Sequence, residues 1–324
     1  MTAVDVPIGL GRIHCVLPER FVTPDDLPEA PELDAAGRDF LTACGIDTVG
    51  VIEESAGVLA ARATTEFVTA HGARPDVLLH VGARSPDVLL GSDACHAQAA
   101  AGLPGAFAFT LDGLGCTGSS AAWGLAADLL RADPARRQVL VTHASRPTGV
   151  DRIRPPVTVT GDGAFALTVE RGGRPVLRAH RAETDGTFHD LFQVDYKQAP
   201  WYEWREECAS PDRYRFELAL HSRERLGRLV DEVLADAGVP RTAVATVLMQ
   251  NVTASAFDFY EALLGLPVHG VCRDNLARYG HLGAMDVVLN LRDLLTKGEV
   301  APGGLVLVLN NSPVAAWAAT LWEV

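Results

Sequence analysis

No apolar run in this sequence reaches the ~18–20 residues that a membrane-spanning helix needs. The opening stretch MTAVDVPIGLGRIHCVLPER has no basic segment ahead of an apolar core, so no secretory leader is expected. Paired cysteines are missing too. Cys15, Cys44, Cys95, Cys116, Cys208 and Cys272 are scattered and form no CxxC. That spacing suits neither a zinc site nor a disulfide framework, so no metal is expected, and free thiols point to a reducing compartment, the cytoplasm. Positive charge is scarce: 28 Lys and Arg stand against 41 Asp and Glu, a net −13. Phosphate binding needs a cationic surplus, so nucleic acid is excluded as the main partner. Long-range attraction of an acidic protein is disfavoured as well, and any such docking needs a local basic patch. Arg205, Arg213, Arg215, Arg223, Arg225 and Arg228 form one candidate patch, although a solvated helix face is the plainer reading. Absent, finally, is a dinucleotide fingerprint. GLGRIH and GDGAF lack the full glycine spacing between a strand and a helix, and their glycines are read as turns.

What the chain does have is length and repetition. Its 324 residues, 48% apolar and 21% charged, suffice for two compact units or one fused body. The segment AARATTEFVTAHGARPDVLLHVG reads as an amphipathic helix, a glycine stop and a β-rich apolar run. LGRLVDEVLADAGVPRTAVATVLMQN repeats that order, with Gly72 matching Gly238 at an offset of 166 residues. Further on, Asp128-Leu129-Leu130 matches Asp293-Leu294-Leu295 at an offset of 165, and QVLVTHAS is echoed by LVLVLNNS. Continuous Val/Leu runs suit parallel strands covered on both faces, and their alternation with helices makes the class α/β. Two such units fused face to face give an α-β-α-β-α body. The halves are placed at residues 1–172 and 173–324.

The repeat singles out two polar residues. Cys116 opens the helix AAWGLAADLL, and His281, at the offset of 165, opens MDVVLNLRDLL. A pseudo-twofold relation brings two such helix starts together. A thiol at a helix N-terminus is acidified by the dipole and the unpaired N–H groups, and an imidazole beside it can take and return protons. The small residues of LDGLGCTGSS let a thioester carbonyl approach the sulfur. The remaining cysteines are expected to be inert. Asp286, five residues after His281, can orient the ring as the third member of a triad does. It can equally be a first-turn carboxylate serving the helix dipole. His80, His96, His143, His180, His189, His221 and His269 have no paired motif and are read as structural. Trp201, Tyr202 and Trp204 in QAPWYEWREE either wall a pocket or pack a dimer.

The pieces IGLGRIHCVLPERFVTPDDL, FTLDGLGCTGSS, VTVTGDGAFALTVE, GHLGAMD and LVLVLNNSPVAAWAATL span almost the whole chain. In that order they resemble the β-ketoacyl-carrier-protein synthase III branch of the thiolase superfamily. The resemblance implies the thiolase-like five-layered fold with two duplicated halves and a homodimer joined near FAFTLDG. It also implies no permanently bound cofactor and a cysteine, here Cys116, that takes an acyl group from coenzyme A or an acyl carrier protein. Condensing members carry His in an HQAN-type motif, where this chain has Gln250-Asn251-Val252-Thr253, and Asn in a GNTS-type motif, where it has Gly280-His281-Leu282-Gly283. Gln250 cannot act as a base near neutral pH. The C-terminal finger that supplies an oxyanion donor reads Asn310-Asn311-Ser312-Pro313, and Pro313 has no N–H to give. Gln250, Asn251 and Ser312 are therefore the candidate substrate or oxyanion contacts. A Trp and an Arg expected to hold coenzyme A near TACGIDTVGV are replaced by residues such as Asp39, Phe40 and Ala43, which favours a carrier-bound donor.

The set Cys116, His281 and Asp286 is similar to that of thiolase-like enzymes that transfer acyl groups to oxygen or nitrogen. The leading expectation is thus an acyltransferase of polyketide-type secondary metabolism that passes the acyl group to a hydroxyl, amine or carrier thiol. A decarboxylative condensing enzyme that primes a polyketide chain, and a silent partner subunit of a synthase, are the alternatives.

Overall fold

The computed structural model describes residues 6–84, 86, 88, 91–147, 152–193, 200 and 206–324. Nine strands make one mixed sheet: β1 Ile8–Val16, β2 Val77–Val81, β3 Phe107–Leu111, β4 Gln138–Ser145, β5 Gly163–Arg171, β6 Val176–Thr184, β7 Val244–Met249, β8 Leu305–Ser312 and β9 Ala316–Glu323. Their spatial order is β7-β8-β9-β6-β1-β5-β4-β2-β3. Among the described residues eight helices accompany them: α1 Ala35–Ala43, α2 Ala56–His71, α3 Asp93–Ala100, α4 Gly118–Ala132, α5 Ala219–Ala237, α6 Ala254–Leu264, α7 Gly270–Tyr279 and α8 Asp286–Lys297.

The same topology occurs twice. In the first half β2 lies parallel to β3 and β4, β4 is antiparallel to β5, and β5 is antiparallel to β1. In the second, β7 is parallel to β8, β8 antiparallel to β9 and β9 antiparallel to β6. A parallel bridge from Val247 to Val268 stands where the second half would carry its counterpart of β3. QVLVTHAS and LVLVLNNS are β4 and β8 themselves, buried along nearly all their length as strands covered on both faces must be. Gly72 and Gly238 both end their helices in the left-handed region, at φ 59° and 67°, where glycine has no Cβ to clash.

Packing makes the layers. Helices α2 and α3 cover the outer face of the first half, where Leu59 and Phe67 meet Leu78 and Leu140. Helix α5 covers the outer face of the second, on β6 and β9, with α6 packed against it. Between the halves lie α4, which touches β1, β2, β4 and β5 on one side and β6 and β9 on the other, and α8, which touches β7, β8 and β1. Trp123 of α4 stands edge-on to Trp322 of β9 at 5.4 Å and donates its ring N–H to Thr320 Oγ1 at 3.0 Å. A fully buried indole pair is a strong anchor, and it holds α4 against the second half.

The helix boundaries correct one expectation. His281 does not open a helix: it precedes a short 3₁₀ turn, Gly283–Met285, and α8 begins at Asp286. Cys116 sits within the matching turn, Gly115–Thr117, directly before Gly118 of α4. The helix starts are thus 168 residues apart, not 165, because α4 has 15 residues and α8 has 12. The offset of 165 read from the sequence belongs to the C-terminal ends of the two helices. In the fold, the counterpart of Cys116 is Ala284.

Candidate active site

After β3 the chain turns through Gly113 and Gly115, both with positive φ (80° and 52°), and enters the turn that carries Cys116. Gly115 is doubly constrained, since a Cβ there would lie 2.4 Å from Ser312 Oγ. Asn310, near the end of β8, donates its amide to the Cys116 carbonyl at 2.8 Å and so fastens the Cys116 turn to the second half.

His281 arrives from the other half. Its N–H donates to Val159 O at 2.9 Å, and its carbonyl accepts from Gly161 N at 3.0 Å. The preceding Gly280, at φ 69°, lies where a Cβ would be 2.8 Å from Val159 O. So held, His281 places Nε2 3.1 Å from Cys116 Sγ and donates Nδ1–H to Asp286 Oδ2 at 2.6 Å. The Asp286 carboxylate is fully buried and accepts two backbone N–H bonds besides, from Asn251 at 2.8 Å and Leu282 at 2.7 Å. Those bonds fix its orientation and offset the cost of burying its charge. Its oxygens serve the site rather than the start of α8.

Burial alone would raise the Cys116 thiol, but the adjacent His281 ring, with a smaller contribution from Arg154, brings it below the ordinary thiol value. His281 moves the opposite way: burial disfavours its charge, and Cys116 and Asp286 together outweigh that and raise it. Opposite shifts in one contacting pair favour a thiolate beside an imidazolium. Elsewhere burial prevails, pushing Cys15 up to about 11 and Cys272 up to about 12.

Two cavities meet at this point, sharing Cys116, Arg154, His281 and Pro313 as walls. The first, of about 380 Å³, is bounded by Arg84, Arg146, His143, Glu206 and Ser312. The second, of about 310 Å³, runs between α5 and α6 past Leu218, Ser222, Gln250 and Phe257 to the exposed Arg215 and Phe259.

The three residues expected to touch substrate fare differently. Ser312 lines the first cavity beside Gly115, with its hydroxyl 3.4 Å from Val314 N. Gln250 lines the second, yet its side-chain amide is tied to Asn311: Nε2 donates to Asn311 O at 3.2 Å and Oε1 accepts from Asn311 N at 3.2 Å. Asn251 is corrected. Its side chain lies behind Asp286, where it bonds Asn290, and it forms no wall of either cavity. The finger is a three-residue hairpin loop, Pro313-Val314-Ala315, between Ser312 and Ala316. Ala315 takes the left-handed position (φ 53°) that glycine usually fills, and its N–H closes the turn onto Ser312 O at 2.9 Å.

Of the arginine-rich stretch, Arg213, Arg225 and Arg228 are spent on Asp190, Glu183, Asp185 and Glu232, which fits the solvated-face reading. Arg205, Trp201, Tyr202 and Trp204 lie outside the described residues. Sequence reasoning gave no role to Asn310, although it opens the quoted finger, and missed Arg84, Arg154 and Glu206, which belong to no motif and converge only in space. It also read His143 as structural, whereas that residue lines the first cavity. His143 donates Nδ1–H to Val81 O at 3.0 Å and leaves Nε2 without a partner among the described residues.

Residues 234–324 match the family described as the C-terminal part of 3-oxoacyl-[acyl-carrier-protein] synthase III. A β-ketoacyl-[acyl-carrier-protein] synthase III of Erythrobacter litoralis is 26% identical over 315 residues, covering 94% of this chain and 95% of that relative. The 3-oxoacyl-[acyl-carrier-protein] synthase III of Aquifex aeolicus VF5 superposes with a TM-score of 0.80 at 21% identity, over 98% of this chain and 100% of the other. ChlB3, an acyltransferase, superposes at 0.82 with 23% identity and 98% coverage of each chain. The chain has the thiolase-like fold and is ketosynthase III-like along nearly its whole length. In this ketosynthase III-like framework Gln250 stands where the resemblance placed a histidine, and its amide is bound to the backbone beside it. His281 stands where it placed an asparagine. Among the described residues the His281 imidazole is the group bonded to the Cys116 sulfur.

Proposed function

We propose that this enzyme is an acyltransferase of polyketide-type secondary metabolism, with Cys116 as nucleophile, His281 as general base and acid, and Asp286 holding the ring. The observation that carries the reading is the continuous relay from Cys116 Sγ through His281 to Asp286. In the loading step the Cys116 thiolate attacks the donor thioester carbonyl. The pantetheine sulfur leaves as a thiolate and takes the proton from His281, now neutral. In the transfer step an acceptor hydroxyl, amine or carrier thiol attacks the acyl-cysteine while His281 removes its proton, and the Cys116 thiolate departs. Asp286 stabilises the imidazolium formed at each stage. Ser312 is a candidate donor to the carbonyl oxygen in place of the N–H that Pro313 lacks.

The second cavity suits the pantetheine arm of a coenzyme A or carrier-protein donor, since it leads from the surface at α5 and α6 to the sulfur. A decarboxylative condensation is supported less well. An enolate forming on the acceptor needs free donors aimed at its oxygen, and the Gln250 amide is occupied by Asn311. The subunits are proposed to pair as a homodimer through β3, a sheet-edge strand whose Phe107 is 70% exposed. Six free cysteines accord with a cytoplasmic setting.

Intact-protein mass spectrometry with acyl thioesters, followed by acceptors, tests the reading. Transfer requires an adduct on Cys116 that an acceptor removes without release of CO₂. Release of CO₂ points to condensation, and the absence of any adduct to a silent partner subunit.

A further inference from the structure

The first cavity is built for charge. Arg154, with only 9% of its side chain exposed, and Arg84 both donate to the single carboxylate of Glu206, Arg154 through Nε and Nη2 to Oε1 and Arg84 through Nε and Nη2 to Oε2. Burial pushes the Glu206 carboxyl up, but Arg154 and Arg84 together hold it below the usual carboxylate range. One anion is thereby shared between two cations. Among the described residues no acceptor takes the remaining N–H groups of either guanidinium. Arg146 adds a third positive charge to the wall, leaning at 3.8 Å on an Asp162 already engaged in two bonds with Arg152. Asp112 is the other carboxylate of the wall, exposed and bonded to its own neighbour Gly113 N.

Cys116 is within the electrostatic reach of both arginines. As a thiolate it helps to balance them. Once acylated, the sulfur is neutral, and an uncharged acyl group would leave two partly desolvated guanidiniums with one carboxylate. A buried cation short of counter-charge is costly. Elsewhere in the wall, the lone pair of His143 Nε2 would repel an anion. Burial pushes that ring down to about 4, so it remains neutral near neutral pH.

We propose that the acyl group carried by Cys116 ends in a carboxylate, received by the free N–H groups of Arg84 and Arg154. The substrate class is then a short dicarboxylic acid bound as its half-thioester. This rests on the acylation of Cys116 proposed above and names the group that is transferred. It also suits transfer without decarboxylation, because ion pairing stabilises the carboxylate over the neutral CO₂ that its loss would form.

The test compares acyl thioesters of pantetheine, the arm common to both donor types, on the full-length protein. Initial loading rates are read by intact mass for succinyl against butyryl and for malonyl against propionyl, pairs that share a chain length. The carboxylated member should load about tenfold faster or more, with its carboxylate retained in the adduct mass. In Arg154→Gln and Arg84→Gln the ratio within each pair should fall toward one. A ratio is insensitive to partial loss of folded protein, and the native ratio stands independently of either variant. Equal or faster loading of the uncharged member by the native enzyme overturns this inference and leaves the acyltransferase reading intact. Equal slowing of both members in the variants also overturns it, since the arginines would then act on the thiolate alone. Failure of all four thioesters to label Cys116 defeats the acyltransferase reading itself, and this inference with it.

Discussion

Helices α4 and α8 are the same device built twice, and the differences between them show how a duplicated fold acquires a reaction centre. Each follows a 3₁₀ turn that starts at a glycine of positive φ, Gly115 at 52° and Gly283 at 59°. Both lie in the layer between the two halves. On the α4 side the second residue of the turn is Cys116, where α8 has Ala284. On the α8 side the first helical residue is Asp286, where α4 has Gly118, at which even a Cβ would be 2.5 Å from Val81 Cγ1. The Cys116 side therefore has no room for a carboxylate, and the His281 side has Ala284 in place of the thiol. His281 comes from the segment ahead of the second turn, which sets the ring between the sulfur and the acid. Two like helix starts thus became unlike partners, one placing a thiol and the other a carboxylate that holds an imidazole.

The sharpest way to break this division of labour is Cys116→Ala, which should abolish acyl adducts altogether while circular dichroism stays native. A surviving adduct would place the nucleophile elsewhere. Next in size is His281→Ala. In single-turnover assays on pre-acylated protein, transfer to a hydroxyl should fall by ~10²–10⁴, the usual weight of a general base, and loading by less. The same variant tests the ion pair by alkylation of Cys116 across pH. Native reactivity should reach half its maximum below the ordinary thiol range, because His281 stabilises the thiolate. Without the ring, burial is the largest remaining influence, and the midpoint should move upward in pH. An unmoved midpoint would assign the acidity of the thiol to the helix start alone.

Asp286→Asn should reduce transfer in the same manner but less than loss of the ring, since an amide keeps part of the hydrogen bonding and loses the charge that stabilises imidazolium. A loss larger than that of His281→Ala would show that the carboxylate mainly holds the fold, through Asn251 N and Leu282 N. The smallest effects separate the two turns. Gly283→Ala should cost about 1–2 kcal/mol of stability, from left-handed backbone strain alone, because its nearest neighbours would be 3.8 Å from the new Cβ. Gly115→Ala should cost more and also slow loading, because its Cβ would meet Ser312 Oγ at 2.4 Å. Equal costs by denaturant titration would mean that Ser312 moves aside freely.

Hydrophobic periodicity and glycine stops sufficed to place the repeated helices and strands. Buried parallel strands such as β4 and β8 need continuous Val/Leu runs, and Gly72 and Gly238 need the left-handed conformation whatever surrounds them. Such requirements are local, so they are legible along the chain. Cys116 and Asp286 could be picked out for a related reason, since each belongs to a turn or a helix start that recurs, and His281 because it lies just ahead of one. The 165-residue offset misled at the start of α8, because a helix shorter by three residues shifts its own beginning without disturbing the pattern at its end. Asn251 misled because neighbours in sequence, Gln250 and Asn251, face different sides of the backbone, one into a cavity and the other into the buried asparagine layer with Asn290. Nothing local ties Arg84 to Arg154 and Glu206, or Asn310 to the Cys116 carbonyl. Their meeting depends on how far the two halves close on each other, and a charge pair formed across 122 residues, as Arg84 and Glu206 form, leaves no periodic trace in the chain.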